Sequence, residues 1–373
     1  MRADKIRALF DPSKPEVAGG YDVRVSSSVT SRPTTEFRVG VIGTGNIARQ
    51  VHLPVLTSMP GVRVEWVADV NPASAASAAR AFNLRSIALP LSSGAEWDCD
   101  VVLVASPVGT RMTHLERLAA RGIAAFVEKP FARTVAEHRA FTSLFPAHRI
   151  GCGFMRRVFD STLTVQRILA GGWLGRPTRI VVREGGRTRG SGTDRSYFDD
   201  ERMGGGILLE LGCHGMDLAM HLTGATRYRI VHQKFLFDGS PDRTAEGEVL
   251  LFDDDGDNHA GLPLEFRFSW IEDMEGALEF HFASARLLVG IKPEMAIRLT
   301  GPAAREDRRD VPGAAFRLEP GGLGAITTNQ AFYLEWRAFL DGLATGRPSE
   351  FAAEAVLPVT ALIADLYQQG RGA

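Results

Sequence analysis

The stretch from Phe37 to Ser58 limits the possible folds more than any other part of the chain. Its first residues form a short run rich in β-formers, which leads directly into the turn Gly43-x-Gly45-x-x-Ala48 and then into an apolar-periodic segment. This order predicts a strand, a glycine turn and a helix. The glycines allow a tight bend and a close approach to a pyrophosphate, and the small Ala48 lets helix and strand pack closely.

A second predicted strand, Val62–Asp69, ends in an acid 24 residues after Gly45. In dinucleotide-binding folds an acid at this place binds the ribose hydroxyls. The predicted cofactor-binding residues of this region are Gly43, Gly45, Asn46, Ile47, Ala48 and Asp69. Asp69 would repel a 2′-phosphate, and Val70 and Asn71 offer no cation to offset it. The sequence therefore favours NAD(H) over NADP(H).

The rest of the first half alternates between strand and helix patterns. Strand patterns lie at 62–69, 100–105, 123–128 and 149–155, and helix patterns lie at 73–83, 111–121 and 134–145. Such alternation predicts a doubly wound parallel sheet. We therefore expect an α/β fold whose first domain, at 37–155, is a Rossmann domain.

After a helix pattern at 159–170, strand patterns follow one another without helices between them. They lie at 178–184, 229–236, 245–252, 263–270, 275–282, 285–290 and 295–300, and helix patterns at 329–344 and 352–368 close the chain. The run of strands predicts a large, mostly antiparallel open sheet in a second α/β domain at 156–373. Residues 1–36 show no sustained periodicity; they are either poorly ordered or an arm on the body or on a neighbouring subunit.

Composition argues against several classes of protein. The formal net charge is −1 and no long Lys/Arg run occurs, so the positive field that nucleic-acid binding needs is missing. The three cysteines have no Cys-x-x-Cys spacing, which argues against a disulfide framework or a cysteine zinc site. No apolar stretch approaches the roughly eighteen residues of a membrane span, and no apolar leader is visible. We expect a cytoplasmic protein without nucleic-acid or membrane partners.

The stretch 204–217 carries the candidate chemistry. Three glycines free the backbone to approach a ligand, and a helix after them would place Glu210, His214 and Asp217 on one face. A carboxylate beside a histidine indicates proton transfer. The same pattern fits a metal site, because His221 extends the stripe, or a polar helix face without chemistry.

Further motifs occur in order along the chain. They are Val41–Ala48, Glu128-Lys129-Pro130 at a strand end, Phe154–Arg157, Gly204–Asp217 and Phe339–Pro348. With these motifs the sequence resembles the Gfo/Idh/MocA oxidoreductases, the family of glucose-fructose oxidoreductase and inositol 2-dehydrogenase, across 37–369. The resemblance implies a Rossmann domain and an α/β domain whose open sheet makes subunit contacts, here in a homodimer or homotetramer.

The resemblance also implies roles for single residues. It places Lys129 near the nicotinamide and makes His214 and Glu210 the proton-transfer pair, although Glu210 is one methylene longer than the family's aspartate. Val108 and Arg111 stand where many relatives have Asn and His. On the nicotinamide side we expect Ser106, Pro107, Glu128 and Lys129.

These expectations give an NAD(H)-dependent dehydrogenase or reductase acting on a secondary alcohol or ketone of a sugar, cyclitol or similar metabolite. His214 would be the acid/base, and Lys129 would stabilise charge on the reacting oxygen. The expected substrate-binding residues are Arg157, Lys129, His214 and Asp217, with no metal. Three alternatives stay open: metal-dependent hydrolysis at the Glu210-to-His221 stripe, a cofactor-binding protein without turnover, and an enzyme that cycles a retained NAD.

Overall fold

The computed structural model describes residues 36–89, 97–187, 205–239, 241–253, 260–292, 297–301, 316–318 and 327–371. These residues form two β-sheets, one of six strands and one of eight, with helices packed against them. The predicted extension at 1–36 lies outside the described residues except for Glu36. None of the described helices is long and apolar enough to cross a membrane.

The first sheet is parallel throughout. Its strands are β1 (Phe37–Ile42), β2 (Val62–Asp69), β3 (Arg85–Ala88), β4 (Val101–Val104), β5 (Ala124–Val127) and β6 (Ile150–Cys152). The spatial order is β3-β2-β1-β4-β5-β6. β4 and β5 are buried over their whole length, as expected of strands covered on both faces. The order reverses between β1 and β4, and such sheets bind ligands outside the carboxyl ends of the strands at this point.

Helices connect these strands. They are α1 (Leu53–Ser58), α2 (Pro72–Phe82), α3 (Arg111–Ala119) and α4 (Val135–Ser143). A π-helical turn, Ala48–His52, leads from the glycine turn into α1. The Asn71 side chain caps α2 by accepting from the backbone N–H groups of Ala73 and Ser74.

The second sheet is mostly antiparallel. Its strands are β7 (Arg179–Gly185), β8 (Arg227–Phe237), β9 (Asp242–Phe252), β10 (Leu262–Ser269), β11 (Met274–His281), β12 (Arg286–Gly290), β13 (Ile297–Thr300) and β14 (Phe316–Leu318). The spatial order is β14-β13-β12-β11-β7-β10-β9-β8. All pairs are antiparallel except β7 with β10. Alternate residues of β10 are buried, so the core lies on one face of this sheet.

Four helices follow the first sheet along the chain. They are α5 (Asp160–Ala170), α6 (Cys213–Thr223), α7 (Thr328–Thr345) and α8 (Leu357–Arg371). A π-helical turn, Leu208–Gly212, precedes α6. A Cβ at Gly215 would lie 2.7 Å from Val182 Cγ2 and 3.1 Å from the Phe268 ring, so the glycine lets α6 press closely on β7 and β10.

Helix α7 returns to the first sheet. Its Trp336 and Phe339 rings lie 4.5 Å and 5.0 Å from the ring of Phe126 in β5. All three side chains are buried. A helix from the end of the chain therefore completes the core beneath the parallel sheet.

The predicted fold class is confirmed, with a doubly wound parallel sheet and a second, mostly antiparallel one. β3 and β14 have no counterpart in the sequence-based prediction; β3 is mostly exposed and has no apolar pattern. The last helix begins at Leu357 instead of 352 because Ala353–Val356 forms a 3₁₀ turn. The domain division at residue 155 stays a prediction.

Candidate active site

The carboxyl ends of β1, β4 and β5 meet at one edge of the first sheet. Gly43 leaves β1 with φ of +93°, and a Cβ there would lie 2.8 Å from the carbonyl carbon and oxygen of Ala105. Glycine is required at this close approach. At Gly45 an added Cβ would meet no atom of the described residues within 4 Å. The turn is therefore packed tightly at Gly43, between β1 and the end of β4, and open at Gly45, where a pyrophosphate would approach. This shape fits a dinucleotide.

Asp69 ends β2 beside this turn. Its Oδ2 atom accepts from the Thr44 N–H at 2.7 Å and from the Thr44 hydroxyl at 2.9 Å. Its Oδ1 atom accepts from the Asn71 N–H at 2.9 Å. The carboxylate is therefore held in one orientation at the strand end where the sequence predicts ribose binding.

The other predicted cofactor residues line the same edge. Asn46 is exposed and Ile47 is half-buried in the glycine turn, and Ala48 is buried where the turn enters the helix. Ser106 is buried just after β4, and Pro107 is half-buried beside it. Their contacts with a cofactor stay predictions.

Glu128, just after β5, ends a buried hydrogen-bonded chain. The Trp336 indole N–H donates to His52 Nδ1 at 2.9 Å, and His52 Nε2 lies 2.6 Å from Glu128 Oε1. Because indole nitrogen can only donate, His52 carries its proton on Nε2 and donates it to Glu128. Burial alone would raise the pKa of Glu128, but the hydrogen bond from His52, with the charges of Lys129 and Arg111, holds the pKa below its usual value. Glu128 is thus kept ionised, and its Oε2 atom accepts the Lys129 N–H at 3.0 Å.

Arg111 ties together the two loops on either side of this edge. Its side chain is 2% exposed, and its Nε donates to the Ser106 carbonyl at 3.0 Å. Its Nη1 donates to the Pro130 carbonyl and, at 3.2 Å, to that of Phe131. The residue that departs from the family's histidine therefore holds the loop after β5 against the loop after β4.

Lys129 reaches from the first half of the chain to the second. Its Nζ donates to the carbonyl oxygen of Glu210 at 3.1 Å. Glu210 lies in the π-helical turn before α6, and His214 lies in the first turn of that helix. The structure thus joins the predicted lysine to the segment that carries the predicted acid/base.

The Glu210 carboxylate is hydrogen-bonded to the second sheet. Its Oε2 accepts from the Trp270 indole N–H at 2.7 Å. His214 is 5% exposed, and its ring stands edge-on to Phe154 with ring centres 5.8 Å apart. That Glu210 orients His214 stays a prediction; the geometry gives the carboxylate a partner that sequence reasoning missed.

A second group missed from the sequence holds the start of this segment. Asp242 is fully buried; it accepts from the N–H groups of Gly206 at 2.7 Å and Leu208 at 3.0 Å, and from the Tyr367 hydroxyl at 2.7 Å. Burial raises the pKa of Asp242, and these bonds oppose the rise. Asp242 comes 28 residues after His214, so no local pattern could identify it.

Arg157 and Asp217, both predicted to bind substrate, pair with each other. Arg157 Nε lies 2.9 Å from Asp217 Oδ2, Arg157 Nη2 donates to Oδ1, and Arg157 Nη1 donates to the Glu350 carbonyl at 2.7 Å. They are 3% exposed each. Arg156 makes a similar buried pair with Glu184. The substrate role of Arg157 and Asp217 stays a prediction. The geometry supports a role in joining α6 to the 3₁₀ turn after β6, Met155–Val158.

The proposed metal stripe has other partners. Asp217 binds Arg157, Glu210 binds Trp270, and His221 Nε2 lies 2.8 Å from Gln166 Nε2. Burial lowers the pKa of His221 to about 4. Within the described part of the chain, no group of three or more His, Cys, Asp and Glu side chains could hold a metal ion.

Glu335 of α7 is a fully buried carboxyl, and neither oxygen has a hydrogen-bond partner among the described residues. Burial, followed by the charge of Glu128, raises the pKa of Glu335 well above its usual value. Such a group keeps its proton in the folded chain where the unfolded chain has lost it. Its contribution to stability is complete below the unfolded pKa and is lost as pH rises toward the folded one.

We therefore expect Glu335→Gln to become more stable than the parent chain as pH rises. The difference in unfolding free energy should grow by about 1.4 kcal/mol per pH unit above about pH 4.3, until the folded pKa is reached. Urea unfolding at a series of pH values measures it, with the exposed Glu354→Gln as control. A difference that is the same at every pH would contradict the raised pKa.

The fold and the site define a dinucleotide-binding α/β protein of the oxidoreductase type. Residues 37–149 match the model of the oxidoreductase family with an NAD-binding Rossmann fold, and residues 162–243 match the GFO/IDH/MocA C-terminal domain. The chain belongs to the Gfo/Idh/MocA family, which confirms the resemblance of its motifs.

Curated relatives align with about half of the chain. It is 26% identical over 193 residues to scyllo-inositol 2-dehydrogenase (NAD(+)) of Bacillus subtilis, covering 51% of this chain and 55% of the relative. It is 27% identical over 191 residues to inositol 2-dehydrogenase of Rhizobium meliloti, covering 50% and 55%. The chain thus spans about half the length of the curated relatives it matches.

Solved structures share the whole fold. A 3-ketoreductase from Actinomadura kijaniata, in complex with NADP and TDP-benzene, has a TM-score of 0.72 at 17% identity and covers 90% of this chain and 98% of its own. An aldose-aldose oxidoreductase from Caulobacter crescentus, complexed with glycerol, has a TM-score of 0.75 at 16% identity with the same coverage. At this identity the similarity concerns the fold alone.

Proposed function

We propose that the chain is an NAD(H)-dependent dehydrogenase or reductase that transfers hydride between nicotinamide and a secondary alcohol or ketone of a sugar, cyclitol or similar metabolite. The observation that carries the proposal is the 3.1 Å hydrogen bond from Lys129 Nζ to the Glu210 carbonyl. It joins the strand end beside the glycine turn to the segment that leads into His214. This bond brings Lys129 to the segment that leads into the helix carrying His214, which supports the proposal.

The residues at the sheet edge fit a nicotinamide dinucleotide. The turn Gly43–Ala48 would hold the pyrophosphate, since Gly45 faces open space and Gly43 allows the bend. Asp69, oriented by Thr44, would hold the ribose hydroxyls. When bound, the nicotinamide accepts or delivers the hydride. Movement of one proton and stabilisation of charge on the substrate oxygen are left to side chains of this chain.

Lys129 and His214 are the side chains that we assign to charge stabilisation and to proton transfer, respectively. The ammonium of Lys129 is a donor of the kind that stabilises a developing oxyanion, and the bond to Glu210 sets its direction. His214, buried at the start of α6, carries an imidazole, the side chain that most often serves as a general acid or base. Glu128, with His52 behind it, and Arg111 act as positioning residues for the loop that carries Lys129.

A coupled assay of NAD⁺ reduction with scyllo-inositol, myo-inositol and common hexoses tests the proposal. We expect reduction with at least one of these alcohols, and NADH binding measured by nicotinamide fluorescence. Binding of NADH without turnover in either direction would favour a second candidate, a catalytically silent cofactor-binding member of the family. Arg111 and the fully buried Val108, which replace the family's usual residues next to β4, are the observations that favour it. Conversion between two sugars without net NADH would indicate a retained cofactor.

Cofactor preference is the part of the proposal that one substitution addresses. Because Asp69 would repel a 2′-phosphate, Asp69→Ser should lower the ratio of NADH to NADPH affinity by about tenfold or more. Fluorescence titration with each reduced cofactor measures the ratio, and the exposed Asp341→Ser serves as control. An unchanged ratio in Asp69→Ser would contradict the ribose assignment.

We also propose a homodimer or homotetramer that associates through the open face of the second sheet, in the reducing cytoplasm. That sheet carries half-exposed ion pairs within the chain, Arg179 with Glu265 and Arg267 with Glu246. The three cysteines, Cys99, Cys152 and Cys213, are free and buried, which supports a reducing compartment. Light scattering tests the assembly, and a monomer at micromolar concentration would contradict it.

A further inference from the structure

A one-way chain of hydrogen bonds connects Arg49 to Asp69 beside the glycine turn. Arg49 Nη2 lies 3.1 Å from Ser74 Oγ, Ser74 Oγ lies 2.8 Å from Thr44 Oγ1, and Thr44 Oγ1 lies 2.9 Å from Asp69 Oδ2. An ionised carboxylate can only accept, so Thr44 donates its hydroxyl proton to Asp69. Ser74 must then donate to Thr44, and Arg49 donates to Ser74. The chain therefore runs in one direction, from a cation to an anion.

Two backbone contacts fix the Arg49 guanidinium in this place. Its Nε donates to the Thr44 carbonyl at 2.8 Å, and its Nη2 donates to the Ser74 carbonyl at 2.6 Å. Arg49 thus lies between the glycine turn and the first turn of α2, and it is half-buried there. The sequence-based preference for NAD(H) considered only Val70 and Asn71, and so it missed a cation 20 residues before Asp69.

The Asp69 carboxylate fills a site made of donors. Three groups donate to it: the Thr44 N–H, the Thr44 hydroxyl and the Asn71 N–H. Backbone N–H groups that converge in this way, with a hydroxyl and a cation behind them, form the kind of site that binds phosphate oxygens. In this chain the protein's own carboxylate takes that position.

We propose that Arg49 is a determinant of cofactor selection: with Thr44 and Ser74 it forms an anion-binding site for a ribose 2′-phosphate, which Asp69 occupies and closes. The inference rests on the proposed function, because it requires a nicotinamide cofactor at this edge of the sheet. The chain then prefers NAD(H) because the Asp69 carboxylate occupies the phosphate site. Removal of this carboxylate alone should open the site to NADP(H), since Arg49 already supplies the cation.

Four proteins test this: the parent chain, Asp69→Ser, Arg49→Met and the double variant, each titrated with NADH and with NADPH by nicotinamide fluorescence. Asp69→Ser should bind NADPH about tenfold to a hundredfold more tightly than the parent, the range expected for hydrogen bonds to a charged group. Arg49→Met alone should weaken NADH binding much less than it weakens NADPH binding in the Asp69→Ser background. The double variant should lose most of the NADPH gain.

Two further substitutions in the Asp69→Ser background sharpen the result. Arg80→Met removes the same charge from the exposed last turn of α2 and should keep the NADPH gain, which excludes a general effect of net charge. Ser74→Ala breaks the chain between Arg49 and Thr44 without removing a charge, and it should lose part of the gain. It also keeps the test decisive if Arg49→Met folds poorly.

NADPH binding by the double variant as tight as that of Asp69→Ser would overturn the inference. So would an Arg49→Met chain that loses NADH affinity as strongly as the double variant loses NADPH affinity, because Arg49 would then only shape the glycine turn. A parent chain that binds neither cofactor would contradict the proposed function itself, so the two failures are distinguishable.

Discussion

Lys129→Ala is expected to lower kcat/KM by about 10²-fold to 10⁴-fold, with NADH affinity changed by less than about threefold. The physical reason is the position of the ammonium group, which is held by the Glu210 carbonyl at the joint between the two halves of the site. A donor aimed at the reacting oxygen contributes mostly in the transition state, so its loss should reduce kcat rather than raise KM. Steady-state kinetics with the active polyol, together with NADH titration, measures both quantities.

His214→Ala separates the two catalytic roles. We expect a rate loss of similar size, because the group that gives and takes the substrate proton would be missing. The control for Lys129→Ala is Lys234→Ala on the exposed strand β8, which also removes a lysine and should leave the kinetics unchanged. Full activity in Lys129→Ala would remove Lys129 from the mechanism, and full activity in His214→Ala would remove His214 as acid/base.

Arg157→Met is expected to destabilise the fold by about 3–5 kcal/mol, because it leaves the carboxylate of Asp217 buried and unpaired. Both partners are 3% exposed, and the guanidinium binds the carboxylate through two hydrogen bonds, in a bidentate pair. Urea unfolding at neutral pH measures the loss. The half-exposed pair Arg179–Glu265 gives the comparison, since Arg179→Met should cost less than about 1 kcal/mol.

The double variant Arg157→Met, Asp217→Leu shows which role the pair has. Replacing a buried ion pair by apolar side chains is often neutral, so we expect most of the lost stability to return. If the pair only joins α6 to the turn after β6, kinetics should recover with stability. A stable double variant with a raised KM for the polyol would instead support the prediction that Arg157 and Asp217 contact the substrate.

Most of the fold could be predicted because its elements show their burial in the sequence. β4 and β5 are short apolar runs covered on both faces, and β10 alternates between buried and half-buried residues. β3 could not be found in this way, since four mostly exposed residues make no apolar pattern. The amphipathic pattern of α7 predicts a helix, but no periodicity states that it packs under the first sheet.

The candidate site divides in the same way. Gly43, Asp69 and Lys129 could be singled out because each belongs to a local motif with a fixed spacing. The groups that orient them, such as His52 for Glu128 and Asp242 for the segment before α6, act across the chain. For Asp217 the helical spacing correctly places the residue on the same helix as His214, but it does not show that the carboxylate pairs with the buried Arg157.

The return of α7 to the first sheet has a consequence for how the chain is made. The Trp336–His52 hydrogen bond joins residues 284 positions apart, and Trp336 and Phe339 fill the space against Phe126. Helix α7 begins 199 residues after Lys129, so the strand end that carries Lys129 is synthesised well before the layer that supports it. We therefore expect the apolar surface around Phe126 to stay uncovered during synthesis until α7 has been made, which exposes it to aggregation.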